Sequence, residues 1–224
     1  MEFVLWKKLL KMTWVDWVWV AGAVLLLAGL IVFLVLSAKR EKTRRGSLQA
    51  LVYGGLCVAL AFVLSYIKLF SMPMGGSITL ASMLPLLWYA HRYGLPAGLL
   101  AGLAYGLLQF IQKPTFVGVA QMLLDYPLAF TCLGLAGLFR YRADRKAERN
   151  LIFLLLGVLA GSAARAVCHI VAGALFFAEY APEGMNAWLY SAGYNGGYLG
   201  ADALICTVLA VPVALSLNRR KQAA

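Results

Sequence analysis

Asp125, His169 and Asn195 are polar side chains set deep in apolar sequence, and each carries chemistry that hydrocarbon alone does not accommodate. Asp125 lies in "LLDYPLAF", with no charged residue from Pro114 to Leu124 before it or from Tyr126 to Phe139 after it. A carboxylate at membrane depth costs at least ~2.5 kcal/mol, so it marks a function and requires a partner. A carboxylate among aromatic rings favours a cation, through Coulomb attraction and cation–π contact. Histidine, asparagine and tyrosine add donors and acceptors suited to the edge of a heterocycle. The expected ligand is small, positively charged and rich in nitrogen. A different chemistry, with Asp125 and His169 as acid and base of an intramembrane enzyme, uses the same residue types.

These residues must be positioned by membrane helices. Of the 224 residues, 62% are hydrophobic and 13% charged, too apolar for a soluble domain. Lys and Arg number 20 against 9 Asp and Glu. They gather in short clusters between apolar runs, which is the positive-inside pattern of a membrane protein and not a nucleic-acid surface. Cys57, Cys132, Cys168 and Cys206 are isolated, and His91 and His169 are the only histidines. No metal site, cofactor or nucleic-acid partner is expected, and no phosphate-binding loop for ATP is present in the sequence.

A helix spanning hydrocarbon needs ~20 apolar residues. The runs 17–38, 48–67, 77–90, 95–112, 115–139, 151–178 and 187–217 are read as seven spans. The third is short and either tilts little or begins in the preceding loop. Basic clusters at 39–45, 91–92, 140–149 and 219–221 follow alternate spans and are assigned to the cytoplasm, with the C-terminus. The N-terminal run is too long for the core of a signal peptide, so an extra transmembrane helix with its N-terminus outside is expected.

Counting ~1.5 Å per residue from the outer boundary puts Asp125, His169 and Asn195 at one depth, ~12–15 Å in. Arg165 and Asp202 lie deeper, at ~20 Å. Arg165 can pair with Asp202, leaving Asp125 free for a ligand, or with Asp125 itself. Residues 165, 169, 173 and 177 share one helix face, as do Tyr190, Tyr194, Tyr198 and Asp202, while Gly118, Gln121 and Asp125 form a third stripe. Faces so polar turn inward.

The stretches "LAFVLSYIKLFSMPMGGSITLASMLPLLWYAHRYGLPAGLLAGLAYGLLQ", "LLDYPLAFTCLGLAGLF" and "CHIVAGALFFAEYAPEGMNAWLYSAGYNGGYL" closely resemble the thiamine-specific substrate-binding S component of energy-coupling-factor (ECF) vitamin importers. The resemblance covers about residues 46 to 218. It implies an all-α integral membrane protein: a six-helix S-component core over 46–224, with 1–45 as an extra N-terminal helix and basic linker. It further implies a non-enzymatic subunit of a multi-pass bacterial cell membrane protein complex. Thiamine would be captured outside and taken up with an ECF transmembrane coupling subunit and two ATP-binding cassette ATPases.

Carried over by position, the resemblance implies substrate contacts at Asp125, Tyr126, His169, Gly173, Phe177, Tyr190 and Asn195. The family's acidic position can be glutamate, one methylene longer than Asp125, and Phe177 stands where a tryptophan can stack. Trp188 is a further candidate wall, and the loop at 69–78 a candidate cover. Gly55 and Ala59 match small residues that pack against the coupling subunit, although packing within this chain is equally open to them. An S component for another vitamin, such as riboflavin, or for a pyrimidine precursor remains the alternative.

Overall fold

The computed structural model describes residues 48–73 and 75–222, with side chains described as far as Leu215. The expected N-terminal helix lies outside the described residues. Six helices follow in chain order: α1 (Leu48–Ser65), α2 (Leu84–Tyr93), α3 (Leu95–Gln112), α4 (Val119–Phe139), α5 (Ala147–Phe176) and α6 (Ala187–Gln222). Between α1 and α2 lies an antiparallel hairpin of β1 (Lys68–Ser71) and β2 (Ser77–Thr79). Five helices, all but α2, are long and apolar enough to cross a membrane.

Two boundaries differ from the expectation, each for a local reason. The run 77–90 is not one span, because Ser77–Thr79 pairs with Lys68–Ser71 and the helix starts only at Leu84. Pro85 sits in its first turn, where the missing N–H costs nothing. The helix then ends at Gly94, whose φ of +97° favours glycine. Short as it is, α2 is central: Leu86, Leu87, Tyr89 and Ala90 are buried in the core.

The second difference is the irregularity of α4. It opens as an α-helix, widens to a π-type turn over Leu124–Leu128, and tightens to a 3₁₀ stretch over Cys132–Phe139. Pro127 explains the wide turn, since it has no N–H to donate and its ring crowds the carbonyl a turn earlier. Thr131 Oγ1 donates 2.5 Å to the Pro127 carbonyl, satisfying one acceptor there. Asp125 and Tyr126 belong to this widened turn.

The crossing of α3 and α4 is made backbone to backbone. Gly98, Gly102 and Gly106 lie on one stripe of α3; a Cβ added at Gly98 would collide with Ala90 of α2 and crowd the Gly134 main chain, and at Gly102 or Gly106 it would collide with the main chain at Phe130 and Tyr126 respectively. Gly134 and Gly137 face α3 and its N-terminal end in the same way. The glycines are therefore needed for close approach, as in small-residue membrane interfaces. Gly102→Val is expected to destabilise the protein by ~1–3 kcal/mol or more through forced separation of the helices. Thermal unfolding in detergent would read this as a lower Tm, with Gly200→Ala, where nothing lies within 4 Å, unaffected.

The remaining packing seats α5 against α4 and α6, while α1 and α2 close the other side. Leu51, Leu56, Val63, Val167, Leu204 and Val208 are exposed, as expected of side chains that face lipid.

Candidate ligand-binding site

The C-terminal part of α3, the beginning of α4, the C-terminal part of α5, the beginning of α6 and the hairpin surround one cavity of about 470 Å³. That size suits a small organic molecule. The basic stretches at 91–92 and 140–149 lie at the opposite ends of these helices. Asp125, Tyr126, His169, Gly173, Phe177, Tyr190 and Asn195, named from sequence, all line the cavity.

Asp125 is the centre of a hydrogen-bond chain. Gln121, one turn earlier on α4, donates from Nε2 to Asp125 Oδ2 at 2.7 Å and accepts the Val117 N–H at 3.0 Å. His169 Nδ1 lies 2.9 Å from the other carboxylate oxygen. An ionised carboxylate can only accept, so this contact assigns the proton to Nδ1. Nε2, buried and without a partner among the described residues, is then left to meet a ligand. Asp125 thus has hydrogen-bond partners within the chain. Its partners are Gln121 and His169, set in place by α-helical spacing and by the α4–α5 contact. No lysine or arginine pairs with it among the described residues, so its charge remains available to a cation.

Arg165 pairs with Asp202, Nη1 to Oδ2, at 3.6 Å. The same Nη1 lies 2.6 Å from Met83 Sδ, and the guanidinium sits 4.4 Å from the centroid of the Phe130 ring. Asp202 also accepts the backbone N–H and hydroxyl of Thr79, each at 3.0 Å. This pair ties β2 to α6 and α5. Of the two pairings open to Arg165 in the sequence, the fold takes the one that leaves Asp125 to histidine.

Asn195 donates from Nδ2 to the carbonyl and hydroxyl of Ser191, each at 3.1 Å, and its oxygen accepts from the Tyr198 hydroxyl at 3.2 Å. It is held within its own helix and presents a fixed edge to the cavity. Tyr126 directs its hydroxyl away to the loop before α4, donating to Lys113 O at 2.8 Å and accepting from Thr115 N at 2.9 Å. Its ring meets Phe110 edge-on at 5.2 Å. Tyr126 therefore serves as a wall and as the pin of the α3–α4 connection.

Trp188, a candidate wall from sequence, is 50% exposed and does not line the cavity. Position 188 falls on a different side of α6 from Tyr190, Tyr194 and Tyr198, and Tyr180 lines the cavity in the loop before α6. The hairpin does border the cavity: Lys68, Gly75, Gly76, Ser77 and Thr79 all line it, and a Cβ at Gly76 would press on the Tyr198 ring at 2.8 Å. Sequence reasoning missed the α3 wall of Tyr105, Gln109, Gln112 and Lys113. Tyr105, Gln109 and Gln112, spaced four and three, share one helix face, which was the available signal, and Lys113 is the cap residue that follows α3.

Gly55 and Ala59 of α1 are exposed, and nothing lies within 4 Å of a Cβ built on Gly55. Packing within the described chain does not occupy them. Gly54, by contrast, is buried against Tyr89.

The fold and cavity define a polytopic membrane protein with a cavity of small-molecule size among its helices. Over residues 51–222 the chain matches a family model described as thiamine transporter protein. It is 35% identical over 175 residues to the thiamine transporter ThiT of Bacillus subtilis, an alignment covering 72% of this chain and 88% of that one. With ThiT of Lacticaseibacillus paracasei it shares 34% identity over 141 residues, 58% of this chain and 68% of the relative. A solved structure of ThiT from Listeria monocytogenes superposes with a TM-score of 0.67 at 28% identity, covering 78% of this chain and 96% of that one. The chain belongs to the thiamine transporter protein family. These relatives are named as transporters and not as enzymes.

Proposed function

We propose that this chain is the thiamine-capturing S component of an ECF-type vitamin importer, with residues 46–224 as the binding domain. One observation carries the reading: a single cavity gathers the seven candidate contacts around a carboxylate that no lysine or arginine neutralises among the described residues. Thiamine joins a cationic thiazolium to an aminopyrimidine. Asp125 supplies the charge for the cation, with Tyr126 and Phe177 as aromatic walls. His169 Nε2, Tyr190 and Asn195 supply the acceptors and donors for the pyrimidine edge. The charge and hydrogen bonds among these groups exist before the ligand arrives, which limits the ordering cost of binding.

The positive-inside pattern supports an orientation with the basic loops and C-terminus in the cytoplasm, the cavity facing out, and the N-terminus outside. The exposed Gly55 and Ala59 fit a close approach by another helix and are assigned to the coupling subunit. Two ATPases would then drive uptake, since the sequence carries no phosphate-binding loop of its own. Residues 1–45 form the separate N-terminal helix and linker in this reading.

Isothermal calorimetry on the detergent-purified chain tests the assignment directly. Saturable thiamine binding at micromolar ligand is expected, with riboflavin failing to compete; no binding refutes the reading. Gly173 adds a second prediction. A Cβ there would strike Ser191 Oγ and come within 2.9 Å of Asn195 Nδ2. Gly173→Ala is expected to displace Asn195 and weaken thiamine by about tenfold, the effect of ~1.4 kcal/mol.

A further inference from the structure

Two thiols that the ligand site does not use lie beside it. Cys132 on α4 and Cys168 on α5 approach to 3.8 Å, sulfur to sulfur, and neither lines the cavity. Cys168 is buried, Cys132 is half-buried, and both are free thiols. Close helix packing sets their distance. A Cβ on Gly161 would come within 3.0 Å of the Leu133 carbonyl oxygen, and one on Gly157 within 3.0 Å of the Ala136 carbonyl oxygen. The main chains of α4 and α5 therefore meet there, as at other small-residue crossings, and hold the two sulfurs at contact distance.

A second observation gives the pair a consequence. Cys168 directly precedes His169, whose Nδ1 bonds Asp125 at 2.9 Å. The thiols thus join the same two helices that the His169–Asp125 hydrogen bond joins. We propose that Cys132 and Cys168 form an oxidisable dithiol, a modification site that closes to a disulfide between α4 and α5 and weakens the ligand site beside it. The two S–H bonds break and one S–S bond forms. The two electrons and two protons pass to a lipid-soluble oxidant of the quinone class, which leaves as the hydroquinone. Cys168 lies ~12 Å inside the end of α5 at Phe176, within a span, where a charged, water-soluble oxidant does not reach.

Closure displaces the histidine. Bonded sulfurs stand ~2.05 Å apart, so the thiols must approach by ~1.8 Å. The helices already touch at Gly157 and Gly161 and cannot draw closer there, so the movement falls on the turn that carries Cys168 and His169. A hydrogen bond of 2.9 Å tolerates only a few tenths of an ångström before it weakens, and His169 moves away from Asp125. The effect on capture rests on the thiamine reading; the dithiol itself does not.

The test treats the detergent-purified full chain with tetramethyl-p-benzoquinone, whose substituted ring offers no position for thiol addition. The protein is then unfolded, labelled with N-ethylmaleimide and mapped by peptide mass. The reduced chain is expected to label at Cys57, Cys132, Cys168 and Cys206, and the oxidised chain at Cys57 and Cys206 alone. Calorimetry on the oxidised chain is expected to show thiamine weakened by about tenfold, with recovery after dithiothreitol. Cys132→Ala is expected to bind thiamine within about threefold of the reduced parent and to ignore the quinone, and Cys168→Ala to do the same. Labelling of Cys132 and Cys168 after oxidation, or a bridge to another cysteine, overturns the dithiol. A bridged chain with unchanged affinity, or an equal loss in Cys132→Ala on oxidation, overturns its effect on capture. A reduced parent that binds no thiamine overturns the thiamine reading, and with it the effect on capture, while the labelling pattern still decides the dithiol.

Discussion

Asp125→Asn is expected to lower thiamine affinity by a hundredfold or more while the protein still folds. The first cause is the loss of a full charge facing a cation in a partly buried site. At an effective dielectric constant of ~20 a pair ~4 Å apart is worth ~4 kcal/mol. The second is tautomeric. Asp125 accepts from both Gln121 Nε2 and His169 Nδ1. An asparagine offers one oxygen and one NH₂, so it cannot accept on both sides. If the amide nitrogen faces the histidine, Nδ1 must become the acceptor and Nε2 the donor. The group presented to the pyrimidine is then inverted. Calorimetry with thiamine and with a neutral aminopyrimidine fragment separates the causes, because the fragment feels only the second. Equal thiamine binding by the parent and the asparagine variant would refute the role given to the carboxylate.

Arg165→Met is expected to cost ~3–5 kcal/mol of stability, more than any other single change considered. It leaves Asp202, which is 2% exposed, without its cation inside the bundle. For a chain of this size that corresponds to a fall in Tm of about 10 °C. Adding Asp202→Asn should recover most of the loss, since the amide oxygen can still accept from the Thr79 N–H and hydroxyl. Thermal unfolding of the two variants in detergent checks both steps. A double variant no more stable than Arg165→Met would show that the ion pair is not what holds this region together.

Much of this architecture was legible because a membrane span is a strong sequence signal: α1, α3, α5 and α6 fall close to their hydropathy runs. Depth counting placed Asp125, His169 and Asn195 in one region because helical rise is nearly constant. It could not say which of them touch. Whether His169 bonds Asp125 or Asn195 depends on helix rotation, and the wide turn at Pro127 changes that rotation locally. Asn195 turned instead to Ser191 and Tyr198 of its own helix. The hairpin was hidden for another reason. "SITLASMLPLLWYA" carries no charge, and hydropathy alone does not separate a short strand from the first turn of a helix. The α3 wall escaped because Gln109, Gln112 and Lys113 come at the end of a span, where polar residues are expected whatever they face.

The glycine crossing of α3 and α4 divides the molecule mechanically. Where main chain rests on main chain there are no intervening side-chain rotamers to yield, so these two helices behave as a single stiff block that carries Asp125 and Tyr126. The opposite border is jointed differently. The hairpin leans on Tyr198 and is fastened to α6 through Thr79 and Asp202, contacts made by side chains at their tips. The carboxylate is thus mounted on the stiffer wall of the cavity, and the hairpin on the wall held through side chains.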